Sequence, residues 1–370
     1  MSEWKKEFDK IIDIYNNSEE PLKKLLYSLK KDPLVLYGCG SVCHYVISAC
    51  NDLNIKIVSL CDTYKSGLFD DTGLEILSPE QTRKKYPGSN IVICSYKFAE
   101  EISEKLIATG FSETQIYRLP ANMPLLIHPS EFTRKYYSGY KWAHSFFTDN
   151  ISKEIVINRI KMYINGTKLH KTSDVSEYFD NGILSLGTNE VFVDGGAYIG
   201  DTAEEFIKQT QAMNIGYRHI YSFEPDENAR SKAISNLAKY SKVDVVGKGL
   251  WSCETRLNFY NDGGCASSSF VNGVRTISVP VTSLDSFFLD KSEEELPTFI
   301  KMDIEGSEKE ALIGAKTVIR QKHPKLAICV YHKPEDIYEL PKLIYGIDPS
   351  YQFFLRQCAD GIYETVLYAI

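Results

Sequence analysis

Residues 191–202 read VFVDGGAYIGDT, and the fold is decided there. An apolar strand, Val191–Val193, ends at Asp194. Gly195 and Gly196 follow, and the lack of a Cβ lets backbone come close to a ligand. Ala197, Tyr198 and Gly200 continue a tight loop. A helix then opens, with Thr202 and Glu205 spaced as a capping box. Strand, glycine-rich loop and helix in that order make a nucleotide-type binding loop.

The charge of this loop selects among nucleotides. Asp194 and Asp201 stand at its two ends. Two carboxylates repel a pyrophosphate but suit a ligand that carries an ammonium and a sulfonium, as S-adenosylmethionine does. The next strand closes at Glu224-Pro225 in YSFEPD, where an acidic side chain can accept from both hydroxyls of a ribose.

Further along, Ile300-Lys301-Met302-Asp303-Ile304-Glu305-Gly306-Ser307-Glu308 reads as a strand ending at Asp303 and a helix starting near Ser307, with Glu310 at capping-box spacing. Glu308 and Glu310 suit a helix N-terminus. Asp303 and Glu305 precede the helix, at the carboxyl edge of the sheet, where open α/β sheets bind ligands. Either suits a general base or a divalent metal ligand. His332, in Tyr331-His332-Lys333-Pro334, ends the following strand at the same edge and is a third candidate for proton transfer.

Outward from these motifs, strands are expected at Val191–Val193, His219–Phe223, Val243–Val246, Phe299–Met302 and Leu326–Tyr331, with further runs at 255–260, 276–281, 351–356 and 363–369. A smaller strand–helix alternation occupies 32–121, preceded by amphipathic helices over 1–31. Ser78-Pro79-Glu80-Gln81 is a helix start in that unit. Residues 122–185 read as a mostly helical connector, and 186–370 as the larger α/β domain. The length of 370 residues agrees with two or three domains at roughly 150 residues each.

Composition narrows the function. The formal charge of −7 disfavours nucleic acid as a partner, because phosphate affinity comes from Lys and Arg. No run approaches the ~20 apolar residues of a membrane span. The opening MSEWKKEFDK lacks the apolar core of a signal peptide, so a cytoplasmic location is expected. Nine cysteines form no CxxC pair and read as buried free thiols.

Residues 191–333 resemble the FkbM family of S-adenosylmethionine-dependent methyltransferases. The resemblance is carried by VFVDGGAYIGDT, YSFEPDENA, VPVTSLDSF, FIKMDIEGSEKEALIGA and HPKLAICVYH, in the family's order. It implies a seven-stranded Rossmann-like sheet and methyl transfer to a hydroxyl oxygen, often on a sugar or polyketide. It also implies that the cofactor lies against Asp194, Gly195, Gly196, Ala197, Tyr198, Gly200, Asp201 and Thr202, with Glu224 and Pro225 opposite. Asp303 and Glu305 match the DxEG motif that borders the reaction centre. Near the C-terminus many members have Arg-His-Tyr, where this chain has Arg356-Gln357-Cys358. The role of that histidine is therefore not carried over. The loop Asp262–Ser269 is expected near substrate or cofactor, or as a surface loop.

The first unit carries LYGCGSVCHYV, in which Cys43 takes the place of the third glycine of GxGxxG. It resembles small Rossmann-like domains fused to sugar-modifying enzymes. That implies a grip on a nucleotide or nucleotide-sugar through Gly38, Gly40 and Asp62; a scaffold or dimerisation domain is the alternative. The leading expectation is an O-methyltransferase acting on a sugar or nucleotide-linked sugar. Its rivals are a dinucleotide-dependent oxidoreductase and a non-catalytic binding protein with the same fold.

Overall fold

The computed structural model describes residues 3–17, 21–69, 72–95, 98–119, 127–172, 177–260, 276–361 and 363–370. Two units emerge, one comprising Met1–Ser138 and Ile157–Thr167, the other Gly139–Val156 and Lys168–Ile370.

The first unit opens with helices α1 (Glu3–Asn17) and α2 (Pro21–Leu29). The alternation then runs β1 (Leu34–Tyr37), α3 (Ser41–Asp52), β2 (Ile57–Cys61), β3 (Gly67–Phe69), β4 (Leu74–Leu77), α4 (Pro79–Lys85), β5 (Asn90–Ile93), α5 (Ala99–Ala108) and β6 (Ile116–Arg118). Its six strands lie in the order β3-β4-β2-β1-β5-β6. All neighbours pair in parallel except β3 and β4. Strand β1 is buried on both faces: Leu34 and Leu36 join the core that holds Leu22 and Leu26 of α2, while Val35 and Tyr37 face Ile91, Leu106 and Phe111. That period-two division is why the run is apolar throughout. The β3–β4 hairpin has no signal in the sequence. Its strands have three and four residues and expose their outer positions, too short a run to show a period.

Helices α6 (Pro129–Lys135), α7 (Tyr137–Phe146) and α8 (Asn150–Asn165) follow. Within the stretch 122–185, read as mostly helical, helix ends with α8, and 166–172 and 177–189 are irregular. Gly166 stops the helix at φ +68°. Asp180 then accepts the Gly182 N–H at 2.9 Å and turns the chain, while Tyr178, Phe179 and Leu184 enter the core of the second unit.

The second unit contains β7 (Glu190–Gly195), α9 (Asp201–Ala212), β8 (Tyr217–Phe223), α10 (Glu227–Leu237), β9 (Val243–Val246), β10 (Gly249–Leu250), β11 (Thr255–Tyr260) and β12 (Thr276–Thr282). It continues with α11 (Leu284–Phe287), β13 (Phe299–Met302), α12 (Glu308–Ile313), α13 (Lys316–Lys322), β14 (Lys325–Cys329), α14 (Asp336–Ile347), β15 (Phe353–Gln357) and β16 (Thr365–Ala369). The expected seven-stranded sheet has the order β15-β16-β14-β13-β7-β8-β9. Only β16 runs against its neighbours. The chain winds outward from β7 through β8 to β9, then returns to the other side of β7 at β13. The β7–β13 seam is therefore the topological switch point, where such sheets open a crevice. Strands β10, β12 and β11 form a separate small sheet. The loop 262–269 lies outside the described residues.

An aromatic cluster backs the switch point. Phe192 of β7 stacks on Phe206 of α9 at 4.6 Å and meets Phe299 of β13 at 5.0 Å. All three are fully buried. Removing a buried ring of this kind costs about 3–5 kcal/mol, so Phe192→Ala would loosen the seam that carries the site.

Candidate active site

The loop after β7 is held from three sides. From β8, the Phe223 carbonyl accepts the N–H groups of Gly196 and Ala197 at 3.1 and 3.0 Å. Glu224 Oε2 accepts the Tyr198 N–H at 2.8 Å, and Oε1 accepts the Asp226 N–H at 2.8 Å. From β13, Lys301 Nζ donates to the Gly196 carbonyl at 2.8 Å and to Asp194 Oδ1 at 3.0 Å. Gly196, at φ +75°, also lies against the chain that leaves β13. A Cβ there would stand 1.9 Å from the Asp303 carbonyl oxygen, so no other residue fits. Tyr198 is forced to φ +47°, a costly conformation for an aromatic residue and one that clusters at functional sites.

Two features of this loop were not evident from its spacing. Asp194 and Lys301 are ladder partners on β7 and β13 and are both buried. Asp194 Oδ1 is thus engaged by Lys301, and Oδ2 has no hydrogen-bond partner among the described residues. Burial pushes its carboxyl up and Lys301 draws it back down. Lys301 is held above its ordinary value by Asp194 and Asp303, against the cost of burial. The outward acidity of the loop rests on exposed Asp201 and on the edge of Glu224, whose carboxyl burial pushes up. Second, Thr202 and Glu205 form no capping box. The N-cap of α9 is Gly200, left-handed at φ +84°, and Glu205 instead accepts from Gln209 at 2.7 Å. Ala197 is buried, and Pro225 is half-buried behind Gly249.

At the end of β13, Asp303 is an acceptor with three donors. Tyr331 Oη and His332 Nε2 each lie 2.9 Å from Oδ1, and Tyr178 Oη donates to Oδ2 at 3.1 Å. Burial works to raise this carboxyl, but the bonded His332 and the Lys301 charge outweigh it and hold it well below its ordinary value. His332 shows the reverse balance. Burial lowers it, and Asp303, Glu308 and Glu305 more than compensate, so it stands above 6.5. Its Nδ1 is 3.7 Å from Glu305.

The turn between β13 and α12 is built by Glu308. Its Oε1 accepts the Ile304 N–H at 2.9 Å and the Gly306 N–H at 3.4 Å, gripping the backbone on either side of Glu305. Glu305 is thereby held at φ +55°. Ser307 is the N-cap of α12 but makes no side-chain cap bond, so the capping box with Glu310 is absent. Glu308 is buried, not a solvated acid at a helix start. Donor atoms of Asp303, Glu308 and His332 all lie within 4.8 Å of one another, close enough to hold a metal ion. Glu305, singled out with Asp303 for that role, is not in the group.

Sequence reasoning missed Lys301, Tyr178, Tyr331 and Glu177. Burial pushes the Glu177 carboxyl up to about 7, and its Oε1 is buried with no hydrogen-bond partner among the described residues. Only the lysine at an inward position of an apolar strand was a signal available in the sequence. Gln357, at the place of the family histidine, is structural here: its amide donates to the Ala359 and Tyr363 carbonyls at 2.7 and 2.5 Å. That turn carries Tyr363, an exposed ring set edge-on to Tyr331 at 5.8 Å.

In the first unit, Gly38 turns the chain after β1 at φ +97°, and Gly40 caps α3 with open space around it. Asp62 is taken up by the loop itself, accepting the N–H groups of Cys39 at 3.1 Å, Tyr64 at 2.8 Å and Lys65 at 3.1 Å. Eight cysteines among the described residues are free thiols, and only Cys253 of these is exposed. No helix among the described residues is long and apolar enough to cross a membrane.

Residues 194–355 match the family model of the methyltransferase FkbM domain. Among solved structures, methyltransferase FkbM from Methylobacillus flagellatus KT is similar over 100% of this chain and 99% of its own, at 21% identity and a TM-score of 0.59. That likeness shows a shared fold. An rRNA methylase from Streptococcus thermophilus is similar over 50% of this chain and 87% of its own, at 13% identity and a TM-score of 0.32. Aeropyrum pernix fibrillarin is similar over 51% of this chain and 70% of its own, at 12% identity and a TM-score of 0.32. No curated protein matches the chain.

Proposed function

Since residues 194–355 match the family model of the methyltransferase FkbM domain, we propose that the protein moves a methyl group from S-adenosylmethionine to a hydroxyl of a sugar or nucleotide-linked sugar, in surface glycan biosynthesis. The observation that supports this most is the Asp303–His332 pair, 2.9 Å apart, at the switch point beside the Gly195–Gly200 loop.

The residues fit the cofactor. Each oxygen of Glu224 accepts one backbone N–H, which leaves lone pairs for the two hydroxyls of a ribose. When bound, S-adenosylmethionine supplies an electrophilic methyl group on a sulfonium. The chain must then align a hydroxyl with that methyl and remove its proton. Asp303 holds His332 at Nε2, so Nδ1 is the nitrogen left to take the proton. Asp303 itself, bonded by three donors and held below its ordinary value, is a poor base. Tyr331 and the exposed Tyr363 suit the apolar face of a sugar ring.

The test is calorimetry with S-adenosylhomocysteine, followed by transfer of labelled methyl to sugars and nucleotide-sugars. His332→Gln should keep binding and lose transfer. Absence of S-adenosylhomocysteine binding would sink the proposal, and binding without transfer to any acceptor would leave a binding protein. A second reading has Asp303, Glu308 and His332 hold a divalent ion against the acceptor oxygen. Transfer that EDTA abolishes and Mg2+ or Mn2+ restores would favour it.

A further inference from the structure

Lys301 and Asp194 are charged groups buried at the centre of the sheet, where solvent cannot stabilise either. Lys301 spends two of its three protons, on Asp194 Oδ1 at 3.0 Å and on the Gly196 carbonyl at 2.8 Å. Its ammonium also faces the Tyr178 ring, 5.2 Å from the centroid. Asp194 is wholly enclosed, and its Oδ2 has no hydrogen-bond partner among the described residues. One carboxylate oxygen is spent on Lys301 and the other is left without a donor among the described residues. The group that the pair holds and that is itself partly exposed is the Gly196 backbone.

We propose that Lys301 and Asp194 are positioning residues of the cofactor loop: Lys301, oriented by Asp194, pins the Gly196 carbonyl to β13 and so sets the loop against which the whole cofactor packs. This rests on the S-adenosylmethionine reading above. It differs from the expectation that Asp194 itself receives the cofactor's ammonium. The two ideas separate because a loop set wrongly harms every part of the ligand, whereas a lost carboxylate contact harms only the amino-acid end.

The measurement is binding of S-adenosylhomocysteine and of 5′-methylthioadenosine, which lacks the amino-acid group, to wild type and to D194N/K301M. The double variant is used because Lys301→Met alone strands a buried carboxylate and risks the fold. Its neutral pair leaves no charge behind, and thermal unfolding checks that it folds; Lys301→Gln serves as a second variant that keeps one donor for Gly196. The expected result is a matched loss for both ligands of at least about tenfold in the double variant, the scale of one charge-assisted hydrogen bond. Lys301→Gln should lose less for both. Loss for S-adenosylhomocysteine alone would overturn the proposal in favour of direct contact by Asp194. Unchanged affinity for both would reduce the pair to a strand staple. Failure of wild type to bind either ligand would instead refute the cofactor reading itself.

Discussion

Replacing Gly196 by alanine tests whether the proposed cofactor loop and the proposed reaction centre at Asp303 share one backbone contact. The new Cβ would fall 1.9 Å from the Asp303 carbonyl oxygen, whereas real Cβ contacts essentially never fall under 3.0 Å. Backbone must therefore open by 3.0 − 1.9 = 1.1 Å, on the loop side or on the Asp303 side. Neither side is free. The loop is tied to Phe223, Glu224 and Lys301, and Asp303 N–H donates to the Gly195 carbonyl at 3.1 Å. The φ of +75° adds about 1–2 kcal/mol for an L-residue, and overpacking about 1–3 kcal/mol. At roughly 2–4 °C per kcal/mol for a unit of about 200 residues, Tm should fall by roughly 4–20 °C. A displacement near 1 Å at a reacting centre costs about 10²-fold, so kcat/KM for methyl transfer should fall at least that far. Differential scanning fluorimetry and a labelled-methyl assay read the two effects. A Gly196→Ala protein with unchanged Tm and unchanged transfer would refute the idea that this contact couples the two halves of the site.

Asp303→Asn removes the charge that most supports the His332 imidazolium, so the acidic limb of the kcat/KM–pH profile should move to lower pH while kcat falls by about 10²-fold or more; a limb that moves to higher pH contradicts the pairing. Because His332 is raised above 6.5 in the folded protein, its contribution to stability is complete below 6.5 and is lost as pH rises through the folded value. Tm should therefore decline above 6.5 in wild type and decline less in His332→Gln, as followed by fluorimetry across buffers. Gly346→Ala, at an exposed position in α14 with nothing within 4 Å of the new Cβ, should stabilise by about 0.5–1 kcal/mol in urea unfolding. Ser78→Ala breaks the reciprocal box in which Ser78 Oγ accepts the Gln81 N–H at 3.2 Å and Gln81 Oε1 accepts the Ser78 N–H at 2.8 Å; a loss of about 1 kcal/mol in the first unit should appear in the same experiment.

The capping boxes show where reading by spacing succeeds and where it fails. At Ser78 the chain is exposed and local, so the hydroxyl and the amide find each other as the spacing says. At Thr202 and Ser307 the same spacing occurs at the carboxyl edge of the sheet, and the boxes do not form because the turns before the helices take other shapes. Gly200, opened to φ +84°, replaces the cap of α9, and Glu308 turns inward to hold the Ile304 and Gly306 N–H groups. The β3–β4 hairpin and the irregular chain after α8 are not legible in the sequence for another reason. Their shape is set by short turns and by apolar residues that reach a distant core, not by a period of their own.

Local chemistry alone determined the strand–helix alternation, the glycine-rich loop after Val193, and the acids and the histidine at strand ends, because a period of two, a missing Cβ and an apolar run are properties of adjacent residues. Tertiary structure decided what those groups do. It buried Asp194 against Lys301, gave Asp303 three donors from Tyr178, Tyr331 and His332, and turned Gln357 into a strut for the Tyr363 turn. Residues 125 positions apart in the chain, such as Tyr178 and Asp303, meet only after the sheet is wound. A carboxylate's charge and reach depend on those neighbours and on the water they exclude, and neither is written in the local sequence.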